Sequence, residues 1–205
     1  RSDVAFEPGK SFSAGGDRDD ALGPRREHAR GRLAHGAFVT ELLRPAAEWE
    51  LQSMIAKLAA QKRRVEIVGH GALRNAGRVA RSDVVLSTAG LKGVTLYEPT
   101  EIVMSARAGT PVYEIESLLA ARGQMLAFEP IDLGPATGAP GGALSIGGVF
   151  STNFSGSRRI LAGSARDNLL GVRAVNGRGE LFKSGGRVMK NVTGLDIARG
   201  LTGSW

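Results

Sequence analysis

The chain has 205 residues, 42% of them hydrophobic and 23% charged, which is enough for one good core, or for one domain of two lobes, with ordinary globular composition. Cysteine is absent, and this excludes disulfides, zinc–thiolate sites, iron–sulfur ligation and thiol nucleophiles within these residues. A formal charge of +7 allows nucleic acid, a membrane surface or an anionic ligand as partner, but 5% aromatic residues, nowhere interleaved with Lys or Arg, argues against a single-strand stacking platform.

No apolar run reaches membrane-spanning length and no signal peptide pattern is visible. The lack of disulfides suits the cytoplasm. Glycine stands out: 29 of 205 residues, roughly twice average usage. The glycines cluster rather than recur at a fixed period, so collagen-like and repeat architectures are excluded. They mark tight turns, or places where backbone must approach something closely.

Residues 1–36 are polar, charged and without apolar periodicity, and read as a tail or linker. His28 and His35 fall there with no third histidine or carboxylate at usable spacing, so no metal site is expected. Organised sequence begins near Phe38. Pro45 opens a helix whose apolar face is Leu51, Met54, Ile55 and Leu58, and Lys62, Arg63 and Arg64 close it. A short strand, Val65 to Val68, runs straight into the glycine loop Gly69 to Asn75. Val84 to Leu86 and Ile102 to Met104 read as strands. Gly109-Thr110-Pro111 starts a second helix with Val112, Ile115, Leu118 and Leu119 as its stripe and Gly123 as its stop. After a stretch of small residues, Ser145 opens a short helix and Leu169 to Val175 is a strand. Asn176 to Gly179 is a hairpin turn, Glu180 to Lys183 the return strand, and Thr193 to Leu201 a short helix with Thr193 as a cap. The expected class is α+β, an α/β lobe followed by a more antiparallel one.

Glycines directly after a strand let successive amides point into one concavity, a nest suited to an anion such as a diphosphate. The loop at 69–75 is neither the Rossmann fingerprint, since Arg74 stands at the sixth position and no helical pattern follows, nor the Walker loop. An ordinary glycine turn is the plainer reading of the loop taken alone. The small residues from Ser145 to Gly163 allow backbone to lie against a flat ring system, or a helix to pack closely on a sheet.

Together these segments resemble the FAD-binding domain of the vanillyl-alcohol oxidase and p-cresol methylhydroxylase superfamily and, within it, the FAD-binding subunits of bacterial glycolate oxidases. The runs that carry the resemblance are LYEP (96–99), SARAGTP (105–111), GQMLAFEP (123–130), NFSGSRRI (153–160), GVRAVNG (171–177) and FKSGGRVMKNVTG (182–194). The resemblance implies a two-lobed FAD-binding domain of the p-cresol methylhydroxylase type over residues 37–205, truncated before the cap domain. It also implies that Gly69, His70, Gly71, Ala72, Leu73, Arg74 and Asn75 wrap the pyrophosphate. Pro130, Ser145, Ile146, Gly147 and Gly148 would lie along the flavin and ribityl chain, Asn153, Gly156 and Gly163 would complete that wall, and Val175 would lie near the adenine end. Members that bind flavin covalently carry a histidine where this chain has Ala72, so noncovalent FAD is expected.

As implied by the resemblance, the activity would be that of an FAD-dependent 2-hydroxy-acid oxidase subunit. It would partner a larger flavin subunit and an iron–sulfur subunit, in the cytoplasm or at the inner membrane through those partners. A fragment of this length is expected to be inactive alone. A non-catalytic electron-relay or scaffold subunit, and a truncated product that binds nothing, remain open. No residue is assigned as catalytic base, and no metal site is expected. His70 could act as a base, but the plainer reading is a loop substitution. Arg158, Arg159, Arg166 and Lys190 could meet a substrate carboxylate, or be surface charge or contacts to phosphate or a partner.

Overall fold

The structure is a computed structural model that describes residues 3–6, 8–10, 41–76, 81–139, 141–186 and 195–204. The first lobe is a parallel sheet of β3 (Leu42–Leu43), β4 (Val65–Val68) and β5 (Val84–Ser87) in the order β3-β5-β4. Helix α1 (Glu48–Ala60) connects β3 to β4. β5 is central and every residue of it is buried, whereas β4 lies at the edge and alternates exposed with half-buried positions. Leu51, Leu86 and Leu91 form this lobe's small core, with Leu43, Met54, Ile55 and Val175 packed against it.

The second lobe is a five-stranded antiparallel sheet ordered β10-β9-β1-β7-β6. Its strands are β1 (Asp3–Phe6), β6 (Val94–Glu98), β7 (Val103–Arg107), β9 (Leu169–Val175) and β10 (Leu181–Gly185). β2 (Pro8–Lys10) pairs with β8 (Gln124–Leu126). Around these lie α2 (Val112–Ala120), α3 (Gly134–Thr137), α4 (Ile146–Thr152), α5 (Arg159–Ala162) and α6 (Ile197–Leu201). The core runs from Met104 and Ala106 through Ile115, Leu119, Phe128, Ile146, Val149 and Phe150 to Leu169 and Ala198. Phe128 and Phe150 meet edge to face with centroids 5.7 Å apart.

The expected tail over residues 1–36 is corrected at its start. Asp3–Phe6 is the middle strand of the large sheet, antiparallel to both β7 and β9, and Pro8–Lys10 also pairs. Four residues are too short to show a period, and a central position is decided by the neighbours' unpaired backbone groups rather than by the segment's own pattern. Two further expectations shift. Leu118 is exposed, because Val112, Ile115 and Leu119 alone share the buried face of α2. The last helix starts at Ile197, capped by Asp196, whose side chain accepts the Arg199 amide at 3.1 Å; Thr193 lies outside the described residues. His28, His35, Phe38 and Lys190 lie outside them too.

Besides the contacts around the loop after β4, the lobes meet at two places among the described residues. Arg173 on β9 forms a two-pronged ion pair with Glu48 on α1 at 2.7 and 2.9 Å, and the hairpin glycine Gly179, with φ +83°, lies against the α1 backbone. At the other place Thr110, 1% exposed, bonds through its hydroxyl with Gly93 and Arg107, while the Gly109 amide donates to the Leu91 carbonyl at 2.8 Å.

Within the small lobe, Asp83 caps the turn into β5. Hydrogen bonds from the Arg64 guanidinium and amide hold its carboxyl down to about 2. A depressed carboxylate contributes stability that is fully present above its unfolded value, about 4, and lost as pH falls toward about 2. Urea midpoints followed from pH 5 to about 2 are therefore expected to fall less steeply in Asp83→Asn than in the parent chain; identical slopes would remove Asp83 from the acid response.

Candidate functional site

Two parallel strands, β4 and β5, end at the same edge of the small sheet, and in open parallel sheets ligands bind beyond such carboxyl ends. The chain leaves β4 as the loop 69–75 and closes over a cleft of about 210 Å³. Loop residues 69–74 line one wall, and Ser145, Gly148, Ser151 and Thr152 line the other. That volume suits a phosphate group or two rather than a whole dinucleotide, whose remainder must lie along the open surface.

The loop's shape is set by hydroxyls at the end of β5. Ser87 Oγ donates to the Gly69 carbonyl at 2.9 Å and Thr88 Oγ1 to the Val68 carbonyl at 3.2 Å. With those carbonyls turned toward β5, the chain swings through Gly71, which adopts φ +88°. The Arg74 amide then closes a turn on the Gly71 carbonyl at 3.2 Å. The amides of His70, Gly71, Ala72 and Leu73 make no backbone hydrogen bond to any described residue. Free donors of this kind beside a cleft require a ligand or water.

Glycine is required at the facing contact as well. A Cβ on Gly69 would collide with Ser145 Oγ, the hydroxyl that caps α4, so a larger residue there would have to displace that cap. A Cβ on Gly147 would sit 2.7 Å from the Ala108 carbonyl, which accepts the Gly147 amide at 2.8 Å. Ser145 caps α4 by accepting the Gly148 amide at 3.3 Å, and the Ser151 and Thr152 hydroxyls donate back to the Gly148 carbonyl. The cradle thus fits an elongated anionic ligand: donors that lack partners on one wall, close backbone approach between the walls, and no side chain filling the gap.

Gly69, His70, Gly71, Ala72, Leu73, Arg74, Ser145 and Gly148 are brought together around this cleft. Ala72 is 4% exposed and belongs to the large core. His70 Nε2 is 2.8 Å from the Gly109 carbonyl; a carbonyl can only accept, so Nε2 carries the proton and the ring buttresses the lobe junction. Asn75 turns away and donates to the Thr137 carbonyl at 3.1 Å. Ile146 is fully buried, and Gly147 packs under the cleft rather than in it. Pro130 bridges to Ser155, and the Gly156 amide donates to the Glu129 carbonyl at 3.0 Å. Asn153 ends α4 at φ +54° and accepts the Arg166 amide at 3.0 Å, while Gly163 ends α5 at φ +75°. Val175 packs on the small lobe's core, away from the loop.

Of the three arginines, Arg158 donates to the Leu126 and Ala127 carbonyls at 3.0 and 3.1 Å, and Arg166 to the Arg199 carbonyl at 2.9 Å. The exposed Arg159 side chain is tied to no backbone carbonyl by the described contacts. Sequence reasoning missed Glu66, Ser87 and Thr88. The signal for the last two was a pair of hydroxyls directly after the apolar run Val84 to Leu86. Among the described residues, no group of three or more His, Asp or Glu is placed to hold a metal ion, and no helix is long and apolar enough to cross a membrane.

A two-lobed α+β domain with a glycine cradle at the carboxyl ends of a parallel sheet is an architecture suited to a phosphate-bearing nucleotide. The chain belongs to the FAD binding domain family, whose model matches residues 40–185. It is 41% identical over 114 residues to glycolate oxidase subunit GlcE of Escherichia coli, covering 56% of this chain and 31% of that protein. It is 30% identical over 163 residues to D-2-hydroxyglutarate dehydrogenase of Xanthomonas citri, covering 78% and 32% respectively. The chain therefore spans about a third of the length of these relatives. Among solved structures, alkyldihydroxyacetonephosphate synthase superposes with a TM-score of 0.62 at 17% identity over 80% of this chain and 28% of that one. A variant of Phl p 4, a glucose oxidase, superposes with a TM-score of 0.59 at 16% identity over 80% and 32%. At those identities the likeness is one of fold.

Proposed function

We propose that this chain is the FAD-binding portion of a flavoprotein subunit that oxidises a small 2-hydroxy acid such as glycolate. The observation that carries the reading is the row of unpartnered amides from His70 to Leu73 at the carboxyl ends of two parallel strands. It occurs in a chain 41% identical over 114 residues to a glycolate oxidase subunit. FAD, when bound, would supply the acceptor for a hydride equivalent from the hydroxy acid.

The residues of this chain position it. The amides of residues 70–73 would donate to the diphosphate, and Ser145 and Gly148 would form the wall beside the ribityl chain, with Ile146 and Gly147 supporting it from below. Pro130, Asn153, Gly156 and Gly163 extend that wall by their turn geometry, and Val175 marks the adenine side. No side chain here is assigned a proton-transfer role. The binding is noncovalent: Ala72 offers no nucleophile. The working enzyme is a complex with a larger flavin subunit and an iron–sulfur subunit, in the cytoplasm or held at the inner membrane by those partners. The chain alone binds flavin without turnover. The existence of a second kind of glycolate oxidase subunit, GlcD of Bacillus subtilis, to which the chain is 35% identical over 60 residues, supports a multi-subunit complex.

A second reading, an electron-relay or scaffold subunit, is supported by the ties of Arg158 and Arg166 to backbone carbonyls, which leave Arg159 as the untied one of these three arginines. Unchanged turnover of the assembled complex with Arg159→Ala, FAD still bound, would favour it. The test of the main reading is an absorbance spectrum of the purified chain after incubation with FAD and desalting, followed by acid-denaturing mass spectrometry. The expected result is a flavin spectrum near one per chain and a polypeptide mass without flavin. A desalted chain with no flavin spectrum would remove the reading, and flavin mass on the polypeptide would remove the noncovalent part.

A further inference from the structure

Among the described residues that line the anion cleft, one is an acid. Glu66 lies on β4 in the half-buried register, and its carboxylate accepts both prongs of the Arg74 guanidinium at 3.0 and 2.9 Å. Ser82 Oγ donates to the same carboxylate at 3.4 Å. The side chains are 16% and 36% exposed for Glu66 and Arg74. Among the described residues no other Asp, Glu, Lys or Arg lines the cleft, so with the pair closed their side chains carry no net formal charge although the chain as a whole is +7. A carboxylate beside four free amides opposes an incoming anion, and it also occupies the one cation the loop could offer. The guanidinium fork matches a phosphate as well as it matches a carboxylate, and a partly exposed pair is weak enough to exchange.

We propose that Glu66 and Arg74 set the loop's affinity for the FAD diphosphate: the Arg74 guanidinium that pairs with Glu66 is the one that a phosphate oxygen of FAD would take, so that the carboxylate competes with the ligand for one cation. This rests on the reading of residues 69–75 as the diphosphate loop. Glu66 is a positioning residue acting through Arg74. It differs from a purely structural tie in that neutralising it improves binding.

The experiment is a flavin-fluorescence titration of the 205-residue chain with FAD, in the parent and in Glu66→Gln, Arg74→Gln and the double variant. Glu66→Gln is expected to tighten FAD about fivefold, and Arg74→Gln to weaken it about tenfold. In the Arg74→Gln background, Glu66→Gln is expected to change affinity by less than about twofold, since residues acting as a unit are non-additive. Urea midpoints of the ligand-free variants check folding; should Glu66→Gln fail to fold, Glu66→Asp, which keeps the charge with a shorter reach, takes its place and is expected to tighten FAD less. Unchanged or weaker binding in Glu66→Gln overturns the proposal, and so does an equal gain in both backgrounds, which would assign Glu66 to direct repulsion. Gly71→Val separates the two levels. If it keeps FAD, the loop is not the diphosphate site and both readings fall; if it loses FAD while Glu66→Gln gains nothing, only the exchange of Arg74 falls.

Discussion

Gly71→Val is expected to abolish flavin retention while leaving the chain folded. Gly71 adopts φ +88°, and a Cβ there would meet nothing within 4 Å, so the substitution creates no clash with the body of the protein. Its cost is conformational: a β-branched residue at positive φ is strained by about 1–3 kcal/mol, relieved by rotating the loop back to negative φ. That rotation reorients the amides on either side of residue 71, which have no backbone partner among the described residues. A hydrogen bond to a charged group contributes about 1.5–3 kcal/mol, so losing two weakens FAD by roughly a hundredfold or more. Fluorescence titration gives the affinity, and the urea midpoint gives the fold. An FAD affinity within threefold of the parent would show that the loop does not hold the diphosphate.

Gly109→Ala is expected to have the opposite profile, a large loss of stability with flavin binding lost as a consequence. A Cβ at Gly109 would collide with the Thr88 carbonyl and lie 2.8 Å from the Leu91 carbonyl and 2.9 Å from the Thr88 carbonyl carbon. All three are backbone atoms and none can rotate away. The same residue donates to Leu91 and receives His70 Nε2, each at 2.8 Å. Moving Gly109 therefore breaks the contact between the lobes and lifts the loop off its buttress together. Overpacking against fixed backbone with loss of two hydrogen bonds costs about 3 kcal/mol or more. Denaturant unfolding measures it directly, and a change under about 0.5 kcal/mol, the range of neutral surface substitutions, would mean that the junction tolerates the extra carbon. His70→Ala, which removes one bond and adds no atom, is the milder companion at about 1 kcal/mol.

The contrast between these two glycines also shows what could be read before the fold was known. Both stand out in the sequence, one in Gly-His-Gly after a strand and one in Gly-Thr-Pro before a helix. The roles differ because one faces an open cleft and the other faces the carbonyls of Thr88 and Leu91, more than 15 residues away in sequence. The same distinction separates the site residues. The glycine loop and Ser145 were legible from their neighbours: a β-run followed by glycines, and a serine placed to cap an apolar helix. Ser87 and Thr88 carried only a faint local signal, and Glu66 carried none, being one acid in the strand Val65–Val68.

Within single elements, then, the sequence by itself determined much. Val65–Val68, Val84–Ser87 and Leu169–Val175 form where β-branched runs are bounded by turn residues, and Leu51 and Leu58 or Val112, Ile115 and Leu119 point inward because 3.6 residues make a turn. Those periods are properties of the chain's own neighbours, whereas the family likeness was carried by short runs such as GQMLAFEP (123–130) and NFSGSRRI (153–160). Only the tertiary structure decided that Asp3–Phe6 is the central strand of the large sheet, that Val175 belongs to the small lobe's core, and that Glu66 holds Arg74 at the cleft. Each of these depends on unpaired backbone, apolar surface or opposite charge supplied by a partner that only folding brings within reach, and such partners leave no pattern in the residues on either side.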